Sequence, residues 1–226
     1  MKSYTLTTAP AVEPVTTGEA LAYLRADSGA EDALIETLIS AARGYVETLT
    51  GRALITQVWT MRTSDWTAAS SSVSDISDIS RFNALYYWSP LATDNGFAGR
   101  VIELDRTPLV SVTSVKYYPA DGGAQATLSA SEYTVDVASE PGRIVLNETA
   151  SWPELASRPD AVEILFTAGY GSARTDVPAE LRLAVNSLTA WFYTQRLPAN
   201  VGNIVNQLPH ALDAIIKKYR VRGMVS

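Results

Sequence analysis

The chain contains no cysteine and a single histidine, His210, and these two scarcities remove much of the usual chemistry of sites. Without cysteine there is no disulfide, no thiolate metal site and no cysteine nucleophile. With one histidine, a zinc site would have to rely almost wholly on carboxylates, which zinc rarely does. A serine hydrolase would have to draw its base from His210, sixteen residues short of the C-terminus. Long apolar runs are also missing. Nothing approaches the ~20 residues that a membrane-spanning helix needs, and the opening "MKSYTLTTAPAVEP" lacks the charged-then-apolar layout of a signal peptide. The expectation is a soluble chain made in the cytoplasm, with no membrane partner; a zinc site and a His210-based hydrolase are both possible and neither is attractive, and no cofactor, metal or catalytic residue is assigned.

Charge is scarce rather than absent, and it is uneven. The 226 residues are 19% charged and 46% hydrophobic, enough to bury a real core, with a net charge of −6. Residues 17–50 hold six acids (Glu19, Asp27, Glu31, Asp32, Glu36, Glu47) against Arg25 and Arg43. Residues 209–226 reverse the balance, with Lys217, Lys218, Arg220 and Arg222 against Asp213. An acidic body with a basic tail argues against sequence-specific DNA binding, which wants a broad basic face. It suits a tail that docks on an acidic partner.

Helices bracket the sequence. In "VTTGEALAYLRAD" Thr16 and Glu19 have capping-box spacing, and Val15 and Ala20 are placed as a hydrophobic staple. Asp27-Ser28-Gly29 ends that helix, and Ser28 with Glu31 repeats the capping-box spacing for a second. Leu34, Ile35, Leu38, Ile39, Ala42, Tyr45, Val46 and Leu49 recur at helical steps and read as one buried stripe, so Leu38→Ala is expected to cost about 2–5 kcal/mol. The helix stops at Thr50-Gly51-Arg52, where Gly51 suits the left-handed cap, and the chain turns. A third helix follows in "DVPAELRLAVNSLTAWFYTQR", with Asp176 as cap, Pro178 in the first turn, and Leu181, Val185, Leu188, Trp191 and Phe192 inward. "LPHALDAIIKKYRVR" closes the chain as a helix with basic residues at its C-terminal end, which suits the macrodipole.

Between the helices the period changes from 3.6 to 2. Residues 53–63, 101–105, 110–119, 132–137, 143–147 and 161–170 read as short strands separated by turn signals, which predicts an antiparallel sheet or small sandwich. Residues 64–99 interrupt them with a serine-rich run and the aromatic-dense "FNALYYWSPL", read as a long mobile loop. The expected fold class is α+β: a helical bundle from the N- and C-terminal segments with an inserted antiparallel β-region. The divisions are 1–52 (helical part of the body), 53–170 (β-domain with loop 64–99), 171–197 (helix completing the body) and 198–226 (linker and C-terminal arm).

Few motifs carry chemistry. Gly169-Tyr170-Gly171 follows a strand and precedes a helix, but the third glycine of a dinucleotide fingerprint would fall at Arg174, so a turn leaving the sheet is the better reading. Asp27, Glu31 and Asp32 suit the start of a helix better than a cation site. His210 reads as a surface residue of the last helix. That helix itself has two readings, packed on its own domain with solvated lysines, or an arm laying its apolar face in another protein's groove.

"PVTTGEALAYLRAD" leading into "EDALIETLISAARGYVETLTGRALITQVW" resembles the opening of the tailed-bacteriophage head–tail connector, or adaptor, proteins, which include those of gene transfer agents. "VPAELRLAVNSLTAWFYTQR" and "LPHALDAIIKKYR" look like the family's remaining helical segments. The resemblance covers both ends of the chain and leaves loop 64–99 unmatched. It implies a structural, non-enzymatic virion subunit at the head–tail junction, present in the host cytoplasm before assembly. It implies a twelvefold ring (a dodecamer) below the portal protein that extends the DNA channel and offers a surface to a neck, stopper or tail protein. Double-stranded DNA would pass without sequence-specific contact.

Carried onto this chain, the resemblance gives the terminal helix to the portal, with Leu212, Ile215, Ile216 and Tyr219 as apolar anchors and Lys217, Lys218, Arg220 and Arg222 as charge partners. Glu31, Asp32, Glu36 and Glu47 are candidates for lining the channel or for contacts between subunits. On this reading Ile216→Asp blocks docking and leaves the fold intact. Two other classes are weighed against it: a carboxylate-based hydrolase, and a carbohydrate-binding β-module suggested by Trp66, Tyr86, Tyr87 and Trp88.

Overall fold

The computed structural model describes residues 2–66, 99–194 and 210–221. The elements are β1 (Ser3–Thr8), α1 (Thr17–Leu24), α2 (Asp32–Thr50), β2 (Gln57–Thr63), β3 (Val101–Leu104), β4 (Leu109–Tyr117), β5 (Ala126–Thr127), β6 (Tyr133–Asp136), β7 (Gly142–Leu146), β8 (Val162–Ala168), α3 (Ala179–Thr194) and α4 (His210–Tyr219). The fold is mixed α+β. One sheet runs β1-β2-β8-β4-β5 and the other β3-β7-β6. In the second, Ile144 stands opposite both Ile102 and Val135, and all its pairings are antiparallel.

The chain divides into two compact units. One comprises residues 1–5, 59–104 and 111–166 and carries most of the strand residues. β3, β7 and β8 bury alternate positions; along β8 Val162, Ile164, Phe166 and Ala168 are all fully buried. That is the period-2 pattern of a pleated strand. Trp66 stacks on Trp152 with ring centroids 4.5 Å apart, and the Trp152 indole N–H donates to the carbonyl of Gly99 at 2.8 Å. Trp66 and Gly99 border the serine- and aromatic-rich run, residues 67–98, which lies outside the described residues. Because the two borders are held by the same tryptophan, deleting residues 68–79 is expected to leave the melting temperature within a few degrees. Closure cost changes by only about 0.6 kcal/mol per doubling of loop length. A large drop on calorimetry would contradict this.

The other unit comprises residues 6–58, 105–110 and 167–226 and contains the four α-helices of the described residues. α2 packs on α1, α3 and α4, and α3 packs on α1 and α4. Their core gathers Ile35, Ile39, Ala42 and Val46 of α2, Leu181, Ala184, Val185 and Leu188 of α3, and Leu212 and Ile216 of α4. α1 begins as its capping box predicts. The Glu19 N–H donates to the Thr16 hydroxyl at 3.0 Å and the Thr16 N–H to the Glu19 carboxylate at 2.7 Å. Arg25, in the left-handed conformation, ends it.

Several expectations are corrected. Ser28 does not cap α2. The cap position is Glu31, which makes no side-chain cap bond, and the turn before it is closed by the Asp32 carboxylate accepting from the Gly29 N–H at 2.9 Å. Asp176 does not cap α3 either; its carboxylate accepts from the Ala173 N–H at 2.9 Å inside a 3-10 turn. The expected strand from Ala53 starts only at Gln57, since residues 53–56 bond elsewhere. β1 and the two-residue β5 had no counterpart among the expected strands. Leu34 and Tyr45 are exposed, at 38% and 41%, and Leu38 is half-buried outside the core, so the broad stripe of α2 is only partly interior.

Candidate functional site

The corner at Thr50-Gly51-Arg52 organises the helical unit. Gly51 has φ 73° and its N–H donates to the Glu47 carbonyl at 2.9 Å, which closes α2 with the left-handed cap that glycine adopts without strain. The Glu47 side chain then reaches past the corner. One oxygen accepts from the Leu54 N–H at 2.9 Å and from the Gln57 amide at 2.8 Å; the other accepts from Arg43 at 2.9 Å. Arg43 also donates to Glu13 at 2.8 Å. Glu47 is 8% exposed, and burial pushes its carboxyl above the usual range while Arg43 and the two amides pull it back. The channel or intersubunit role expected for Glu47 is therefore corrected: it faces inward and ties α2 to the start of β2.

The segment after the corner is held on two sides. The Ala53 N–H donates to the Thr107 carbonyl at 2.8 Å, and the Thr56 N–H to the Gly171 carbonyl at 2.9 Å. Gly169, at φ 143°, lies so close that a Cβ there would stand 2.6 Å from the Thr56 backbone. The Gly169-Tyr170-Gly171 motif is thus a close-packed turn. Arg52 completes the junction. Its Nε donates to the Tyr219 carbonyl at 2.6 Å and its Nη1 to the Tyr170 hydroxyl at 3.1 Å, with the guanidinium over both rings. A cation on the last carbonyls of α4 satisfies acceptors that the helix cannot.

That junction decides where the proposed arm lies. Leu212 and Ile216, 2% and 7% exposed, belong to the core, and Ile215 and Tyr219 pack against it. The Val221 N–H donates to the Thr50 carbonyl at 2.9 Å. Lys218 meets Glu180 of α3 at 2.7 Å, and this hydrogen-bonded pairing holds the Lys218 pKa above and the Glu180 pKa below their ordinary values. Lys217 pairs with Asp213 along the helix at 2.6 Å, Arg220 is exposed, and Arg222 lies outside the described residues. The apolar anchors thus sit in their own domain, while the charges point outward. Both hydrophobic burial and the Arg52 contact favour that seat.

The three other acids gather at the start of α2. Glu31 accepts from the Tyr193 hydroxyl, Asp32 from Gly29, and Glu36 from Thr17 at 3.5 Å. Glu31 and Glu36 are exposed. Trp66, offered above to carbohydrate, is buried beneath Trp152 and Tyr117, because its ring serves as core; Tyr86, Tyr87 and Trp88 lie outside the described residues. Among the described residues no helix is long and apolar enough to cross a membrane.

Two surfaces escaped the sequence reading. A groove of about 360 Å³ opens between α1, α3 and α4, lined chiefly by Tyr23, Leu183, Ala190, Trp191 and Ile215. The other is the outer face of α2. The signal for it was present: eight apolar residues are more than one side of a 19-residue helix needs to bury.

No protein-family model matches the chain, and no curated protein does. Solved structures do. The chain superimposes on one chain of a structure described as the neck of an empty gene transfer agent (GTA) particle computed with C6 symmetry, with a TM-score of 0.70 at 22% identity, covering 99% of this chain and 98% of that one. The fold is that of a GTA neck chain. A chain from the virion of a native GTA particle matches with a TM-score of 0.69 at 22% identity over 99% and 97% of the two chains. One from the neck of a native GTA particle computed with C12 symmetry gives 0.60 at 20% over 98% of each. In this version of the GTA neck fold, the α2 corner and the end of α4 meet at Arg52.

Proposed function

We propose that the chain is a structural subunit of the head–tail neck of a phage-like particle, assembling into a closed ring, twelvefold, that adjoins the portal, continues the DNA channel and receives the next neck or tail component. The observation that carries this reading is the likeness to a neck chain over nearly the whole of both chains. The sixfold and twelvefold symmetry of the neck structures that share the fold supports a ring.

Portal docking belongs, in this reading, to the C-terminal segment. With Leu212, Ile215, Ile216 and Tyr219 engaged at home, the contact is carried by Lys217, Lys218, Arg220 and Arg222, as a basic helix end meeting an acidic partner. Glu31, Asp32 and Glu36 serve the channel wall, where acids let DNA slide; basic residues would hold its phosphates by counterion release. The protein works by assembly, without catalysis.

Mass photometry of the purified chain, alone and with its portal, tests the proposal. The expected result is a complex heavier than the portal by twelve copies. A chain that stays monomeric and ignores the portal contradicts it.

A further inference from the structure

α2 carries two apolar stripes. Ile35, Ile39, Ala42 and Val46 form the buried one. Leu34, Leu38, Ala41 and Tyr45 repeat the same four-three-four spacing about a quarter turn away; Leu34, Ala41 and Tyr45 are exposed and Leu38 is half-buried, the one ring contact on this stripe among the described residues being Tyr45 edge-on to Phe192 of α3 at 6.4 Å. Thr37, Gly44 and Thr48 extend this face without adding a charge, while Glu36, Arg43 and Glu47 project from the other side of the helix. Gly44 sharpens the point. A Cβ there would meet nothing within 4 Å, so nothing among the described residues requires a glycine that weakens the helix relative to alanine. A bare residue at that position lets a second surface come close.

The groove is its counterpart. Its α3 residues, Leu183, Ser187, Ala190 and Thr194, lie on the side of that helix turned away from the buried Leu181, Ala184, Val185 and Leu188. Among the described residues no charged one lines it, and Tyr23 and Leu183 stand half exposed at its rim. From Leu34 to Tyr45 and from Leu183 to Thr194 are equal spans, each about 17 Å along a helix. One unit therefore presents an uncharged ridge and an uncharged groove of the same length on different faces.

We propose that these are the two halves of the subunit contact: the outer face of α2 of one copy seats in the α1–α3–α4 groove of the next. This rests on the ring reading and names its interface. A second copy is the occupant because one chain supplies both shapes. Seating the ridge leaves the groove open for another neighbour, the head-to-tail arrangement that closes into a ring. The lack of charge on both faces also spares the contact any unpaired buried ion.

The absence of native cysteine makes the test clean. Ala41→Cys and Ser187→Cys, near the middle of ridge and groove, change little volume and leave the core alone. In particles assembled with the double variant, a short bis-maleimide is expected to give a ladder of multimers of this chain, and neither single variant a dimer. Leu38→Glu should melt like wild type and be at least tenfold depleted from particles. Double-variant chains present in particles without the ladder overturn the inference. So does Ala41→Cys cross-linking to itself, the mark of a two-fold contact, or Leu38→Glu entering rings normally. Cross-linking of Ala41→Cys to the portal would assign the ridge to that partner and also overturn it. If the wild-type chain is itself absent from particles, the ring reading fails first, which separates the two failures.

Discussion

Glu47→Ala is expected to lower the free energy of unfolding by about 3–5 kcal/mol, the loss seen when one partner of a buried charge pair is removed. The carboxylate serves three donors at once: the Leu54 N–H, the Gln57 amide and Arg43. Removing it leaves the first two without this acceptor inside the corner and Arg43 with Glu13 as its remaining carboxylate. Glu47→Gln separates the parts, because its carbonyl still accepts from Leu54 and Gln57, and it should lose clearly less. The pH dependence has a definite sign. Folding raises the Glu47 pKa above its ordinary 4.5, so the charged form weighs against the folded state at pH above the raised value. That penalty fades as pH falls toward 4.5, and wild type should gain on Glu47→Gln through this window. Chemical denaturation across pH measures both. A Glu47→Ala variant within about 1 kcal/mol of wild type, far short of the loss a broken buried pair brings, would mean that the corner does not depend on this side chain.

Ile216→Asp should be nearly as damaging, at roughly 4 kcal/mol, because it places a carboxylate among Leu212, Leu188 and the apolar side of α2. The sequence alone predicts a different outcome, a folded protein that no longer docks. The seat of α4 on α3 and the Arg52 contact with the Tyr219 carbonyl change that expectation. Thermal melting with hydrogen exchange over residues 212–219 distinguishes them. Wild-type melting with lost portal binding would return α4 to the role of a free arm.

The two variants show what periodicity can and cannot carry. The Thr16–Glu19 cap and the stop at Gly51 are local, formed by residues within three or four positions, and they were legible in the sequence. The burial of Glu47 was not. Spaced four from Arg43 it reads as an ordinary surface pair, and its other partners arrive only after the chain reverses. The seat of α4 depends on a contact between residues 52 and 219, which no window of sequence contains. An amphipathic last helix looks the same whether it folds back or reaches out.

The width of the α2 stripe shows a further limit. Hydrophobic spacing counts apolar side chains without saying what covers them, so Ile35 and Leu34 looked alike. Only packing separates the stripe closed by α3 and α4 from the one left open. β1 was missed for the opposite reason. Its residues are mostly exposed, and it stands at the edge of its sheet, where one face and one side are free of pattern.

The central claim is that this chain is a ring-forming neck subunit, and imaging the neck of the particle it is made with tests it most directly. The account predicts density for this fold repeated around the channel next to the portal, with α2 of each copy against α3 of its neighbour. Particles whose necks lack the chain, or hold it as an isolated copy off the symmetry axis, would contradict it.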